Sequence, residues 1–151
     1  MMSVRAATED DIPRILEIEI DSISPPWTHG ALLGEIYRDD CFFSVIDEHS
    51  HSVSGFVILR QVSEDEGELL QIAVCKAAQR HGFAGSLMSA ALRYAEERSF
   101  KTIFLEVRKS NEAAIALYKK HGFKSVRVRK DYYRDPTEDA LVMARSNQDS
   151  F

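Results

Sequence analysis

The sequence predicts an α/β fold, mixed α+β, in which one mixed sheet carries helices on both faces. Three observations lead there. Segments of strand period and of helix period follow one another in the order βααβββαβαββ. The early strands meander whereas the later ones alternate with helices. No repeat, low-complexity tract or linker interrupts the chain, so its 151 residues read as one domain over residues 1–146 with a frayed tail at 147–151. A domain of that size buries roughly two-thirds of its unfolded surface.

Each element has a local reason. Ser3–Ala7 is a short strand candidate. Thr8 caps a helix with an acid three residues on and Pro13 in the first turns; Ile12, Ile15, Leu16, Ile18 and Glu19 continue it. Ser24-Pro25-Pro26-Trp27 ends that helix, because proline removes a donor and restricts the residue before it. Thr28 caps a second helix to about Tyr37. Cys41–Asp47 and Val53–Gln61 read as strands around a polar turn at residues 48–52, and a charged loop over 63–67 leads to the next strand. That strand, through Leu69, Leu70, Ile72, Ala73 and Val74, passes into Gln79-Arg80-His81-Gly82-Phe83-Ala84-Gly85 and a helix. Leu87, Met88, Ala91, Leu92 and Ala95 line one face of that helix. Lys101–Val107 is a strand, Ser110–His121 a helix stopped by Gly122. Phe123–Arg129 and Ala140–Ala144 close the fold, on either side of Tyr132-Tyr133-Arg134-Asp135-Pro136.

Composition excludes several classes. Apolar content of 44% and charged content of 28% are those of a soluble globular protein, and no apolar run approaches the ~20 residues that span a membrane. The N-terminal residues lack the basic and apolar regions of a secretory signal. Cys41 and Cys75 have neither metal-ligand nor redox spacing, and the five histidines form no ligand pattern, so no metal is expected and a reduced, cytoplasmic setting is. Residues 1–70 hold 4 Lys/Arg against 15 Asp/Glu, whereas residues 71–151 hold 15 against 9. A basic half suits an anionic ligand such as a phosphorylated cofactor, and an acidic half suits a basic partner.

Few side chains suggest chemistry by themselves. The glycine turn at 82–85 follows a strand and opens a helix, where bare amides and the helix dipole favour phosphate. It lacks the full spacing of dinucleotide and nucleotide-triphosphate loops, so an ordinary turn also fits. Alternation turns Glu106 from the neighbours of Phe104 toward a cleft; a carboxylate paired with Arg108 or with solvent is the competing reading. Asn111 fits a helix cap. Tyr118, seven residues later and roughly 20° short of two helical turns, looks out from the same face, or packs beside Ile115 and Leu117. Cys75 has no His or Asp at a recognisable spacing and reads as packing. Arg127, Arg129, Lys130 and Arg134 form a basic cluster that suits a solvated edge or a local ligand contact better than nucleic acid.

Together these segments resemble the GNAT acetyltransferase superfamily. Gln79-Arg80-His81-Gly82-Phe83-Ala84 matches its Q/R-x-x-G-x-G/A motif, placed after a strand and opening a helix. Leu70–Val74, Phe104–Arg108, Ser110–Tyr118, His121-Gly122-Phe123, Asp131-Tyr132-Tyr133 with Glu138-Asp139-Ala140, and Pro26-Trp27 are most similar to the bacterial ribosomal-protein-alanine N-acetyltransferases. The resemblance implies a mostly antiparallel sheet of about seven strands. It implies acetyl-CoA as co-substrate, contacted by Ile72, Ala73 and Val74 through their backbone, by Arg80, His81, Gly82, Phe83, Ala84 and Gly85 at the pyrophosphate, and by Asn111. It makes Glu106 the proton acceptor and Tyr118 the proton donor. The acceptor would be the N-terminal alanine of a basic ribosomal-protein peptide, bound by a monomer or weak dimer with no direct role for nucleic acid or membrane. His81, where that branch often has Arg, Ala84 in place of a second glycine, and Asp131, where Asn usually stands, depart from the pattern. A GNAT enzyme for a small amine or a lysine side chain, and a non-catalytic acyl-CoA-binding module, are the alternatives.

Overall fold

Why the sheet parts where it does is legible in its strand pairing. The computed structural model describes residues 2–22, 26–48 and 52–147. Seven strands, β1 (Met2–Ala6), β2 (Cys41–Glu48), β3 (Ser52–Ser63), β4 (Glu66–Val74), β5 (Thr102–Arg108), β6 (Lys124–Tyr133) and β7 (Glu138–Ser146), lie in the order β1-β2-β3-β4-β5-β7-β6. Every neighbouring pair is antiparallel except β4 and β5. That parallel pair needs a crossover, and α3 (Phe83–Glu97) supplies it. The remaining helices are α1 (Ile12–Ser22), α2 (His29–Ile36) and α4 (Glu112–Lys120).

The apolar spacing read from the sequence places the helices on opposite faces. Ile12, Ile15 and Ile18 of α1 and Leu32 of α2 pack on Phe43, Val45, Phe56 and Ile58. Leu87, Met88, Ala91 and Ala95 of α3, with Tyr118 of α4, pack on Val57, Leu59, Leu69, Leu105 and Val107. The sheet is thus the middle of three layers with a core on each side, at ~1.5–3 kcal/mol for each large apolar side chain fully buried. At Gly55 the layers close tightly: a Cβ there would lie 2.7 Å from the Ala73 carbonyl oxygen.

Several boundaries differ from the sequence reading. Thr8 opens a short 3-10 turn over Glu9–Asp11 before α1; its N–H donates to the Asp11 carboxylate at 2.8 Å. The charged loop at 63–67 shrinks to a turn at Glu64 and Asp65, because Gln61 pairs with Gly67 and Ser63 with Glu66 while the charges stay outward. The helix after the glycine turn begins only at Phe83, after a 3-10 turn at Lys76–Ala78. Tyr132 and Tyr133 belong to β6 and not to the turn, since Tyr133 pairs with Glu138 and its ring lies beneath the Arg108 guanidinium. Thr28 caps α2 as expected, accepting from Ala31 N–H at 3.1 Å, and Gly122 follows α4 with φ +90°. Asn147 is held by hydrogen bonds to the carbonyls of Lys101 and Phe100. The expected helix stop at Ser24-Pro25, part of the 48–52 turn and the rest of the tail lie outside the described residues.

Candidate functional site

β4 and β5 pair only from Glu66–Thr102 to Leu69–Leu105. Beyond Leu69, β4 stays with β3 as far as Val74, while β5 stays with β7 as far as Arg108. The two strands therefore part, and the edge of β4 over residues 70–74 that faced β5 has no strand partner. A bulge accompanies the parting: Ile58 faces Gln71 and Leu59 faces Leu69, so Leu70 is an extra residue on β4. Leu69 packs with the α3 layer and Leu70 with the α1/α2 layer. An uncovered strand edge inside a molecule is a hydrogen-bonding template for an extended ligand. Ile72, Ala73 and Val74, all half-buried or buried, are its end.

The chain then turns into α3. Arg80 has φ +68° and Gly82, the N-cap, has φ +80°. The first amide to bond back into the helix is that of Ser86, to the Gly82 carbonyl at 3.1 Å. The preceding amides of Phe83, Ala84 and Gly85 are the unsatisfied donors of a helix N-terminus. Nothing lies within 4 Å of where a Cβ would stand on Gly82 or Gly85, so neither glycine is demanded by internal packing. Phe83 is buried as the anchor; Arg80 and His81 are exposed, and the His81 ring meets Phe83 edge-on at 5.9 Å. A phosphorylated group fits this open, donor-rich turn.

On the other side of the parting, Leu105 and Val107 face the α3 layer, so Glu106 faces the α1/α2 side. Its cation partner is Arg129 of β6, whose Nη1 donates to Oε2 at 2.6 Å while the guanidinium covers the Tyr132 ring at 4.2 Å. Arg108, the partner in the competing sequence reading, donates to Glu138 and to the Pro136 and Arg134 carbonyls. Glu68 shares the Glu106 side of the sheet: burial, then the Glu106 charge, raises its carboxyl above the ordinary range. Burial, then Glu106, likewise pushes the Tyr133 hydroxyl up to about 12.

Tyr118 is buried against Phe123 in the α3 layer, and burial, with a smaller contribution from Tyr133, holds its hydroxyl well above the ordinary value. Tyr133 acts electrostatically on Tyr118 and is itself acted on by Glu106, the two sequence-selected residues lying on different layers of the sheet. Asn111 caps α4, accepting from the Ala114 N–H at 3.2 Å; it sits on the same helix as Tyr118 but is exposed. Cys75 is half-buried between the two cores. Sequence reasoning did not find Glu68, nor the pairing of Arg129 with Glu106; both depend on which strands become neighbours. Two clefts of about 470 and 420 Å³ lie elsewhere, one under β1, β2 and α3 and one around Arg145. Among the described residues no group of three His, Cys, Asp or Glu could hold a metal ion, and no helix is long and apolar enough to cross a membrane.

Comparison with known proteins gives this fold a family. The model of the acetyltransferase (GNAT) family matches residues 12–123. The ribosomal protein bS18-alanine N-acetyltransferase of Haemophilus ducreyi is 33% identical over 144 residues, covering 93% of this chain and 97% of that protein. Its counterpart from Escherichia coli strain K12 is 35% identical over 149 residues, covering 95% and 97%. The crystal structure of the Escherichia coli ribosomal-protein-S18-alanine N-acetyltransferase superposes with a TM-score of 0.88 at 30% identity, over 100% of this chain and 97% of that one. With a family match across most of its length and relatives of this identity end to end, the chain belongs to the GNAT acetyltransferase family.

Proposed function

We propose that this protein transfers the acetyl group of acetyl-CoA to the α-amine of a protein N-terminus, and that the acceptor is the N-terminal alanine of a ribosomal protein. The parting of β4 from β5 past Leu69 carries this reading. It puts an unpaired strand edge and an anion-friendly helix start on one continuous stretch of chain, with a carboxylate across the gap. The names of the full-length relatives support the acceptor.

Acetyl-CoA supplies an acetyl thioester. Amides of the β4 edge at Ile72–Val74 hold its arm and donate to the carbonyl oxygen as negative charge grows there. Amides of residues 83–85 hold the pyrophosphate, with Arg80 and His81 outside them and Asn111 at the head of α4. Glu106 accepts the proton of the acceptor ammonium, directly or through a water. With a reference pKa near 7.7–8.0, that proton needs only a modest base at neutral pH. The amine reaches Glu106 by drawing it from Arg129, an exposed pairing that costs little to exchange. Tyr118 hydrogen-bonds the departing sulfur. Its hydroxyl, already a weaker acid than a thiol of about 8.5, is held weaker still by burial, so it donates a hydrogen bond more readily than a proton. Exposed Glu9, Asp10, Glu17 and Asp21 give α1 and the turn before it the charge to draw in a basic peptide.

The experiment is a panel of peptides and small amines incubated with acetyl-CoA, with products read by mass spectrometry. The expected product is α-acetylated alanine-starting peptide, faster when basic residues follow; acetylation confined to small amines or lysine side chains would overturn the acceptor assignment. The pyrophosphate assignment has its own test in Gly85→Asp. A carboxylate in the first turn of α3 favours the helix by a few tenths of a kcal/mol and a Cβ at this position meets nothing within 4 Å, so stability is expected to hold or rise. Placed beside a phosphate, the same charge is expected to raise the acetyl-CoA KM at least ~10-fold, about 1.4 kcal/mol. An unchanged KM would remove residues 83–85 from the site.

A further inference from the structure

The largest unexplained feature outside the site described above is a pair of buried polar side chains. Glu19 of α1 is fully buried and Gln71 of β4 is 7% exposed. Both carboxyl oxygens of Glu19 and both amide atoms of Gln71 are sealed from solvent with no hydrogen-bond partner. Four such atoms in one place are costly, at ~1–3 kcal/mol for each unsatisfied group, and native interiors hold few of them. The Gln71 amide and the backbone N–H of Trp27, in the segment leading to α2, lie near enough to the Glu19 carboxyl to act on it, though neither is in hydrogen-bonding geometry with it.

Position makes the pair relevant to transfer. Gln71 is the second residue of β4 past the parting, next to the Leu70 bulge, and both turn to the α1/α2 layer on the side that Glu106 faces. Glu19 therefore lies over the free half of β4, at the last turns of α1. Three parts of the chain meet at its carboxyl: α1, the unpaired half of β4 and the segment leading to α2.

The chemistry of the pair depends on one proton. A neutral carboxyl can donate through its O–H to the Gln71 carbonyl oxygen and accept from the Gln71 amide and from Trp27 N–H, a complementary set of donors and acceptors. A charged carboxylate can only accept, and among the described residues no cation pairs with it to offset its loss of water. We propose that Glu19 is a positioning residue of the acetyl-transfer site: through Gln71 and Trp27 N–H its neutral carboxyl latches α1 and the segment leading to α2 to the free half of β4, fixing the wall against which the acceptor lies. This rests on the transfer site proposed above.

Burial, opposed by Gln71 and then by Trp27, pushes the Glu19 carboxyl up to about 7, so the latch changes state near neutral pH. Among the described residues, most other ionisable groups on the packed elements are paired or exposed, and Glu68 and Cys75 stand to either side of Gln71. Arg14 of α1 donates to the Val53 carbonyl, whereas Glu17 and Asp21 are exposed. Glu35 of α2 pairs with Arg60 of β3, and His29 at the head of α2 is exposed. Glu68 lies before the parting on β4, and Cys75 follows it.

Trp27 is the single tryptophan, so its fluorescence reads the latch directly. In the wild type the emission is expected to titrate with a midpoint near 7, to stay flat between pH 6 and 8.5 in Glu19→Gln, and to titrate as before in His29→Gln. Glu19→Leu and Gln71→Leu are expected to raise the acceptor KM at least ~5-fold while kcat and the acetyl-CoA KM stay within about twofold, and Glu19→Gln is expected to restore the acceptor KM relative to Glu19→Leu. A purely structural role would lower stability without this split. Titration that persists in Glu19→Gln, or an unchanged acceptor KM in both leucine variants, would overturn the latch. Loss of the transfer-site reading is distinct, because it shows as no turnover of any acceptor by the wild type.

Discussion

Glu106→Gln is expected to lower kcat about 10²–10⁴-fold, the range over which a positioned general base contributes. The substitution keeps the shape of the side chain and removes its ability to take the ammonium proton. It also breaks the pair with Arg129, but that guanidinium is 45% exposed, and pairs of this kind contribute at most ~1 kcal/mol. Stability and acetyl-CoA binding should therefore be nearly unchanged, which separates a catalytic from a structural loss. Stopped-flow or steady-state assays on an alanine-starting peptide across pH 6–9 give the measurement. If the residue is the base, the loss in Glu106→Gln shrinks at high pH, where the α-amine is already deprotonated. Tyr118→Phe should cost less, about tenfold, because a hydrogen bond to the leaving sulfur is lost and no proton carrier is removed. Wild-type kcat in both variants would overturn the mechanism whatever the acceptor.

Much of this architecture is legible in local sequence because local sequence decides it. Ile12, Ile15 and Ile18 on one side of α1, Thr28 ahead of α2, and glycines at 82 and 122 with left-handed backbone are each fixed by their neighbours in the chain. The order of strands and helices follows from such signals. The strand pairing does not. That β4 and β5 run parallel for four pairs and then separate is a consequence of β3 and β7 holding on to their partners, and no residue in either strand announces it. The ion pair of Glu106 with Arg129 has the same origin, since the two are 23 positions apart in sequence and meet only because β6 lies beyond β7. Tyr132 and Tyr133 read as a turn beside Arg134-Asp135-Pro136, yet the strand continues through them because Arg108, arriving from β5, lies over Tyr133. Glu19 is a different case. It stands one turn after Ile15 and two after Ile12, on the apolar face of α1, so a buried carboxyl was readable from spacing alone. Its partner Gln71 was not, because the Leu70 bulge decides which way that side chain turns.

That carboxyl has a thermodynamic consequence as large as any substitution at the site. An acid whose pKa is raised on folding, here from 4.5 to about 7, binds more protons in the folded chain than in the unfolded one throughout that interval. Stability then falls as pH rises from about 4.5 to about 7 and is level above it, by up to about 3 kcal/mol at 1.36 kcal/mol per unit. Groups with lowered carboxyl pKa act in another window. Asp11, where burial is outweighed by the bonds from Arg5 and Thr8, and Glu138, held mainly by Ser110, lose their contribution below about pH 4. His121, lowered by burial and then by Lys120 and Arg145, opposes Glu19 below 6.5. The clean quantity is therefore the difference between wild type and Glu19→Gln, measured by urea unfolding at pH 5, 6, 7 and 8. The two are expected to be about equally stable at pH 5. At pH 8 the variant should be the more stable by about 2–3 kcal/mol, a Tm rise of roughly 4–12 °C for a chain of this length. Parallel profiles would mean that Glu19 carries no proton linkage. A neutral amide at position 19 that improves the fold at neutral pH would show that the acid is kept against stability, as a side chain held over the free half of β4 for what it does there and not for the fold.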